Sequence, residues 1–403
     1  MRNLKTLIKN ARIVGKDYIF NGCILMKNGV IAQVCEAPQL LIQEDTQVID
    51  AQGNYVCAGF IDIHTHGAGG SDYMDGTVHC MIEASKMHLR HGTTSIYPTT
   101  LTSTMEELFQ TLDNFQQAKQ AMRGECNLLG LHLEGPYFSM EQRGAQDPRY
   151  IKNPDENEYR RIVEYAGDSI ARWSVAPELL GAIQMGDYLV KNNILPSIGH
   201  SNAEYSDVLH AYHHGYTHVT HLYSGMSTIT RKGGFRHLGV IESAYAIEDL
   251  TVEIIADGCH LPPELLRMVY RFKGADKVCL VTDSMRCAGQ ATAKSIVGSL
   301  SNGQEVLIED GVAKLMDRSA FASSIATADR LVRVMYKEAK VDLCDCITMM
   351  TLTPAKVMNI DAQKGSIACG KDADIVIFDE NIEVKKVIVG GKIVSDSSDD
   401  LDS

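Results

Sequence analysis

Apolar residues recur along this chain at two different periods, and the change of period divides it. Over the first 58 residues the stretches TLIKNARIV, YIFNGCILMKNGVIAQV and TQVIDAQGNYVCAG alternate apolar with polar positions, with a turn signal at Asn28-Gly29. Period two with glycine turns predicts short strands and no long helix. The same pattern returns at Ala373–Phe378 and in VKKVIVGGKIV. Two strand-rich ends around a different middle predict a small β-sandwich built by both ends, from 1–58 and 359–394. The last segment, 395–403 (SDSSDDLDS), is acidic and almost free of apolar residues, the composition of a disordered tail.

Between the ends, short apolar runs alternate with longer amphipathic stretches, the βαβα rhythm of a parallel sheet. Eight strands are predicted, at 60–66, 94–98, 127–134, 172–177, 194–200, 217–221, 251–257 and 278–283. Eight closes a (β/α)8 TIM barrel, and no glycine-rich phosphate fingerprint follows the first strand to favour an open doubly wound sheet. The predicted fold is therefore α/β: a barrel over 59–358 with the small sandwich beside it.

Composition narrows the class. The 403 residues carry a formal net charge of −13, which argues against a nucleic-acid backbone as partner. No apolar run is long enough for a membrane span, and the N-terminal stretch lacks a signal-like apolar core. Eleven scattered cysteines, an odd number, fit reduced thiols and a cytoplasmic location. Cys344 and Cys346 have the wrong spacing for a zinc knuckle or a thioredoxin motif and read as structural. A small-molecule substrate is the expected partner.

The chemistry gathers at the C-terminal strand ends, where barrel enzymes assemble their sites. His64 and His66 lie two apart and share a face of the first strand. Glu134 ends the third strand, His200 the fifth, His221 the sixth and Asp283 the eighth. A single strand-end histidine more often bonds a neighbouring carbonyl; the conjunction is what points to a metal. Imidazole with carboxylate suits Zn²⁺ or Fe²⁺, and the same donors accept Co²⁺ or Mn²⁺. A divalent ion held with an open position acidifies water and polarises a carbonyl. Asp283, outside a complete ligand set, is placed to take a proton from the attacking water and pass it to the departing amine. His132 shares the face of Glu134 and reads as a lining or supporting residue. His79, His88 and His91, like His210, His213 and His214, fall in helical segments and read as packing or surface residues.

The series HxH, HLEGP, APE, GHS, THLY, DGxH and TD resembles the amidohydrolase superfamily. Within it, HLEGPYF, SIGHSNA, THLYSGM and LVTDSM resemble the N-acetylglucosamine-6-phosphate deacetylase family, over essentially the whole chain. The resemblance implies removal of acetate from the acetamido group of a 6-phosphorylated amino sugar by a homodimer. It implies that Glu134, His200 and His221 form the principal metal site, that His64 and His66 permit a second ion per subunit, and that Asp283 is the acid/base. It further implies substrate contacts from His260 and Gln146. At the phosphate end, the backbone of Ser224 and Gly225 is expected to cradle the oxyanion, with the charge from Lys232, Arg231 or Arg236. There the chain reads Ser-Gly-Met where the family commonly has Asn-Ala-Met, so the deacetylation is better supported than the phosphate. The alternatives are another amino sugar (N-acetylgalactosamine-6-phosphate or an unphosphorylated one), a different amidohydrolase, or a barrel without catalysis.

Overall fold

A computed structural model of the chain describes residues 5–36 and 45–397. The N-terminal strands are β1 (Lys5–Val14), β2 (Ile19–Lys27), β3 (Val30–Cys35), β4 (Thr46–Asp50) and β5 (Tyr55–Ala58). The alternation that predicted them turns one face inward: Ile8, Ile13, Ile24, Met26, Ile31 and Val56 are buried together.

The barrel follows. Its strands and helices are β6 (Phe60–Thr65), α1 (Val78–Arg90), β7 (Thr93–Thr100), α2 (Met105–Ala121), β8 (Leu131–Glu134), α3 (Glu156–Ala166), β9 (Ile170–Val175), α4 (Ala182–Lys191), β10 (Leu195–Ile198), α5 (Tyr205–His213) and β11 (His218–Val219). An exposed hairpin, β12 (Thr230–Lys232) and β13 (Phe235–His237), precedes α6 (Val240–Ala246), β14 (Thr251–Ile255), α7 (Pro263–Lys273) and β15 (Val278–Val281). The parallel strands pair in the order β6-β7-β8-β9-β10-β11-β14-β15. Closure comes from the strand ends: Asp283 N–H donates to His64 O at 2.9 Å and His66 N–H to Ser284 O at 2.8 Å. The helices stand where local signals put them. Thr104 and Glu107 form a reciprocal capping box on α2, and α3 buries Tyr159, Ile162, Val163 and Ala166 at helical spacing.

The predicted strand at 127–134 is split. Asn127–Leu128 pairs with β7, the chain breaks step at Leu129-Gly130, and β8 begins at Leu131. A Cβ on Gly130 would lie 2.6 Å from that of Ala171, so β9 approaches too closely for a side chain there.

After β15 an unpredicted antiparallel sheet rises over the barrel mouth: β16 (Lys294–Val297), β17 (Gln304–Glu309), β18 (Val312–Leu315) and β19 (Phe321–Ser323). It encloses its own small core of Met285, Cys287, Val297, Val306, Ala313 and Ala322. Then come α8 (Ala328–Arg333), α9 (Leu343–Met350) and α10 (Leu352–Val357), and finally β20 (Ile375–Phe378), β21 (Val384–Val389) and β22 (Lys392–Asp396). These last strands join the N-terminal ones in one sheet, β22-β21-β20-β5-β1-β2-β3, which forks at β1 because β4 pairs with its first half and β5 with its second. Of the tail expected at 395–403, Ser395 and Asp396 instead pair with β21, and 398–403 lie outside the described residues. Among the described residues the cysteines form no disulfide. Among the described residues no helix is long and apolar enough to cross a membrane.

Candidate metal and active site

Every functional side chain arrives from the C-terminal end of a barrel strand. β6 carries His64 and delivers His66, β8 ends in Glu134, and His200, His221 and Asp283 lie two residues beyond the ends of β10, β11 and β15. The last three hold left-handed backbones, with φ of 47°, 25° and 43°. Three non-glycine residues strained in one cluster mark a place where the surroundings dictate conformation. Asp283 is pinned from behind, its carbonyl accepting the Ser324 N–H at 3.0 Å and the Ser323 hydroxyl at 2.5 Å.

The donor atoms converge on Glu134. Its Oε1 lies 2.9 Å from His221 Nε2, 3.2 Å from His200 Nε2 and 3.6 Å from His64 Nε2, and its Oε2 lies 3.4 Å from His66 Nε2. Asp283 Oδ1 is 3.4 Å from His64 Nε2 and 3.1 Å from His66 Nε2. Donors held about 2.1 Å from a tetrahedral ion sit about 3.4 Å apart, so these separations are those of a ligand cage. In three groupings the donor atoms all lie within 4.8 Å of one another: His64–His66–Glu134, His64–His221–Asp283 and Glu134–His200–His221. The buried His64 Nε2 and His221 Nδ1 have no hydrogen-bond partner. An orphaned imidazole nitrogen facing two carboxylates fits a cation between them.

The electrostatics agree. Burial would raise the Glu134 carboxyl, yet the imidazoles around it, His64 first, hold it well below the usual range. Asp283 is likewise lowered against burial by His64 and His66. His66, disfavoured as a cation by burial, is raised to about 9 by its bond to Asp283 and the charge of Glu134. Two buried carboxylates demand positive charge here.

A cavity of about 310 Å³ opens onto this cluster. Of the predicted substrate contacts, Gln146, Ser224, Gly225 and His260 line it. His260 Nδ1 is fixed by Asp257 Oδ2 at 2.8 Å, and the Phe321 ring packs edge-on against it at 5.0 Å. Gly225 is required: with φ of 58°, a Cβ there would come within 2.7 Å of both His200 Nδ1 and Gln142 O.

Ser224 corrects one expectation. Its N–H already donates to His221 O at 2.9 Å, so it closes a turn and is not free for an oxyanion. The structure does not bring the basic candidates into the cavity of this chain. Arg231 and Arg236 face one another across the exposed β12–β13 hairpin, and Lys232 is paired with Glu204.

His132 sits where a supporting residue should, between Ser174 Oγ at 2.7 Å and Thr99 Oγ1 at 3.2 Å. Sequence reasoning missed Tyr223 and the Phe321–Ser323 wall of the cavity. It also missed Arg172, His218 and Glu253 beneath the metal cluster. A charged residue inside each of the apolar runs IARWSV and TVEII was the available signal for two of them.

The amidohydrolase family pattern matches residues 55–394. The chain is 32% identical over 392 residues to the N-acetylglucosamine-6-phosphate deacetylase of Bacillus subtilis (strain 168), covering 96% of each. It is 32% identical over 395 residues to the enzyme of that name from Haemophilus influenzae, covering 96% of this chain and 99% of that one. The crystal structure of N-acetylglucosamine-6-phosphate deacetylase from Pasteurella multocida superposes with a TM-score of 0.89 at 28% identity, over 97% of this chain and 99% of that chain.

Proposed function

The chain belongs to the amidohydrolase family, a metal-dependent hydrolase family, and from that premise we propose that it removes the acetyl group of N-acetylglucosamine-6-phosphate, giving glucosamine-6-phosphate and acetate. The observation that carries the reading is the cage of four imidazoles, Glu134 and Asp283 opening onto one cavity. Likeness to deacetylases of that sugar phosphate over nearly the full chain supports the substrate.

Glu134, His200 and His221 would hold the principal ion, and His64 with His66 would hold a second. Glu134 joins the two groups because its Oε1 faces His200 and His221 while its Oε2 faces His66. Zn²⁺ or Fe²⁺ is the ion these donors suit best. When bound, it supplies Lewis acidity to the acetamide carbonyl and acidifies water.

The remaining chemistry belongs to the side chains. Asp283, with its backbone locked on both sides, accepts the proton of the attacking water and returns it to the sugar nitrogen as the C–N bond breaks. His260, oriented by Asp257, donates or accepts at a sugar hydroxyl or the acetyl oxygen. The 6-phosphate meets Gly225 at the cavity wall, with the hairpin bearing Arg231, Lys232 and Arg236 supplying charge when two copies assemble. The barrel segment 59–358 carries the catalysis, and the forked sheet from both ends braces it. Free thiols throughout the chain support a cytoplasmic setting.

The test is acetate release from N-acetylglucosamine-6-phosphate, its galactosamine epimer and unphosphorylated N-acetylglucosamine, with metal content measured on the same sample. A large preference for the first substrate is expected. Equal rates with the plain sugar would move the substrate elsewhere while keeping the metal chemistry, and no release by metal-loaded protein would overturn the reading.

A further inference from the structure

Beneath the metal cluster, inside the barrel, lies an ionic group that the reaction itself does not use. Arg172 on β9 and Glu253 on β14 are both fully buried and paired, Arg172 Nη1 on Glu253 Oε1. Each guanidinium nitrogen has a partner: Nε donates to Ser197 Oγ at 2.9 Å, Nη2 to Thr220 Oγ1 at 2.8 Å and Nη1 also to Ile63 O at 3.3 Å. The carboxylate collects four donors. Oε1 faces Arg172 and, at 3.2 Å, His218 Nε2; Oε2 faces His64 Nδ1 and the His221 backbone N–H, each at 3.1 Å. Burying two charges here costs several kcal/mol that a hydrophobic pair would not, so their presence asks for a reason beyond stability.

We propose that Glu253 is a positioning residue for the metal centre, fixing His64 in the tautomer and orientation that turn its Nε2 toward Glu134 and Asp283. An ionised carboxylate only accepts, so the ring nitrogen that meets it must carry the hydrogen. His64 therefore holds its proton on Nδ1 and presents the Nε2 lone pair, the buried atom without a partner, to the cage. By taking the His221 N–H as well, the same carboxylate ties two would-be ligands from different strands to one support. Arg172 keeps Glu253 in its accepting form: the guanidinium Nη1 sits on the carboxylate Oε1, and both groups are fully buried. Partners of this kind are worth about 10- to 100-fold in metal affinity.

The inference rests on the metal-dependent reading of the site, and its test includes a readout that needs no metal. Removing Glu253 alone would strand a buried guanidinium, so the variants remove both charges: Glu253→Gln/Arg172→Met keeps an acceptor oxygen for His64, and Glu253→Leu/Arg172→Met does not. Two quantities are measured on each folded protein. One is Co²⁺ affinity by chelator competition. The other is the ring-nitrogen correlation spectrum of ¹⁵N-histidine-labelled, metal-free protein, with the His64 signals located by their loss in His64→Gln. The expected result is an Nδ1–H tautomer at His64 in the wild type and the Gln variant. In the Leu variant that preference is lost and Co²⁺ affinity falls about 10- to 100-fold, with the Gln variant close to wild type. An unchanged tautomer in the Leu variant overturns the proposal, whether or not affinity falls, because only packing would then be lost. If the wild type binds no metal, the proposed function fails, and the tautomer comparison still decides the role of Glu253.

Discussion

Gln146 donates its side-chain amide to Glu134 Oε2 at 2.7 Å while its own carbonyl accepts the Thr102 N–H at 2.9 Å. It is 4% exposed and reaches Glu134 from the loop after β8, so the amide is locked at both ends. The residue expected to touch substrate thus also braces the carboxylate oxygen that faces His66. Gln146→Leu keeps the volume and removes both bonds. The protein should fold, with metal affinity weakened about 10- to 100-fold as for other lost outer partners. Chelator competition with circular dichroism on the same samples checks this; wild-type affinity would show that Gln146 does not brace the ligand.

Glu134 lies within 3.6 Å of all four imidazoles. Glu134→Gln removes its negative charge, replaces one oxygen with a donor NH2 and leaves the ring nitrogens facing a dipole. Metal per chain by elemental analysis should fall to about a tenth of wild type or less, since affinity drops by more than an outer-partner loss. Full occupancy would remove Glu134 from the ligand set.

Asp283 separates proton transfer from metal binding. Asp283→Asn keeps an oxygen for His64 and His66 and keeps the backbone bonds to Ser324 and His64, but the amide cannot take up a proton. Turnover should fall about 10²- to 10⁴-fold with metal content near wild type. Acetate release at saturating substrate reads the first and elemental analysis the second. Retained turnover would mean that another group moves the proton.

The features legible in the sequence are those that local pattern controls. Barrel strands alternate inward and outward faces, so an apolar run ending in His, Glu or Asp announces both the strand and the side chain at its C-terminal end; the five strands that supply the six clustered donors are of that kind. Register between strands is set by tertiary pairing, and it hides what depends on it. Arg172 and Glu253 stand out as charges in apolar runs, but only the order β9-β10-β11-β14 and the inward turn of both side chains bring them together. The β16–β19 sheet was invisible for another reason. Its strands are short and half-exposed, and its core borrows Met285 and Cys287 from the preceding loop. Where phosphate contacts are expected the sequence shows three cations, and their place on an exposed hairpin follows from the turn at Gly233-Gly234, not from composition.

His88 gives the fold an acid-labile link close to the site. On α1 it is fully buried, and its Nε2 accepts the Thr65 hydroxyl at 2.8 Å, with Ser284 Oγ at 3.3 Å, tying the strand of His64 and His66 to the segment of Asp283. Burial, helped by the neighbouring His91, lowers it from 6.5 to about 4. The folded state therefore holds the neutral ring down to about pH 4, whereas the unfolded chain takes up the proton from about pH 6.5 downward. With the unfolded state binding more protons in that window, stability falls as pH falls, by about 3 kcal/mol in total, and the loss levels off below the folded value. His88→Gln offers Thr65 an acceptor that does not titrate. Urea unfolding of both proteins between pH 7 and pH 4 should show the wild type losing about 3 kcal/mol more than the variant. Parallel pH profiles would mean that His88 does not control the acid limb.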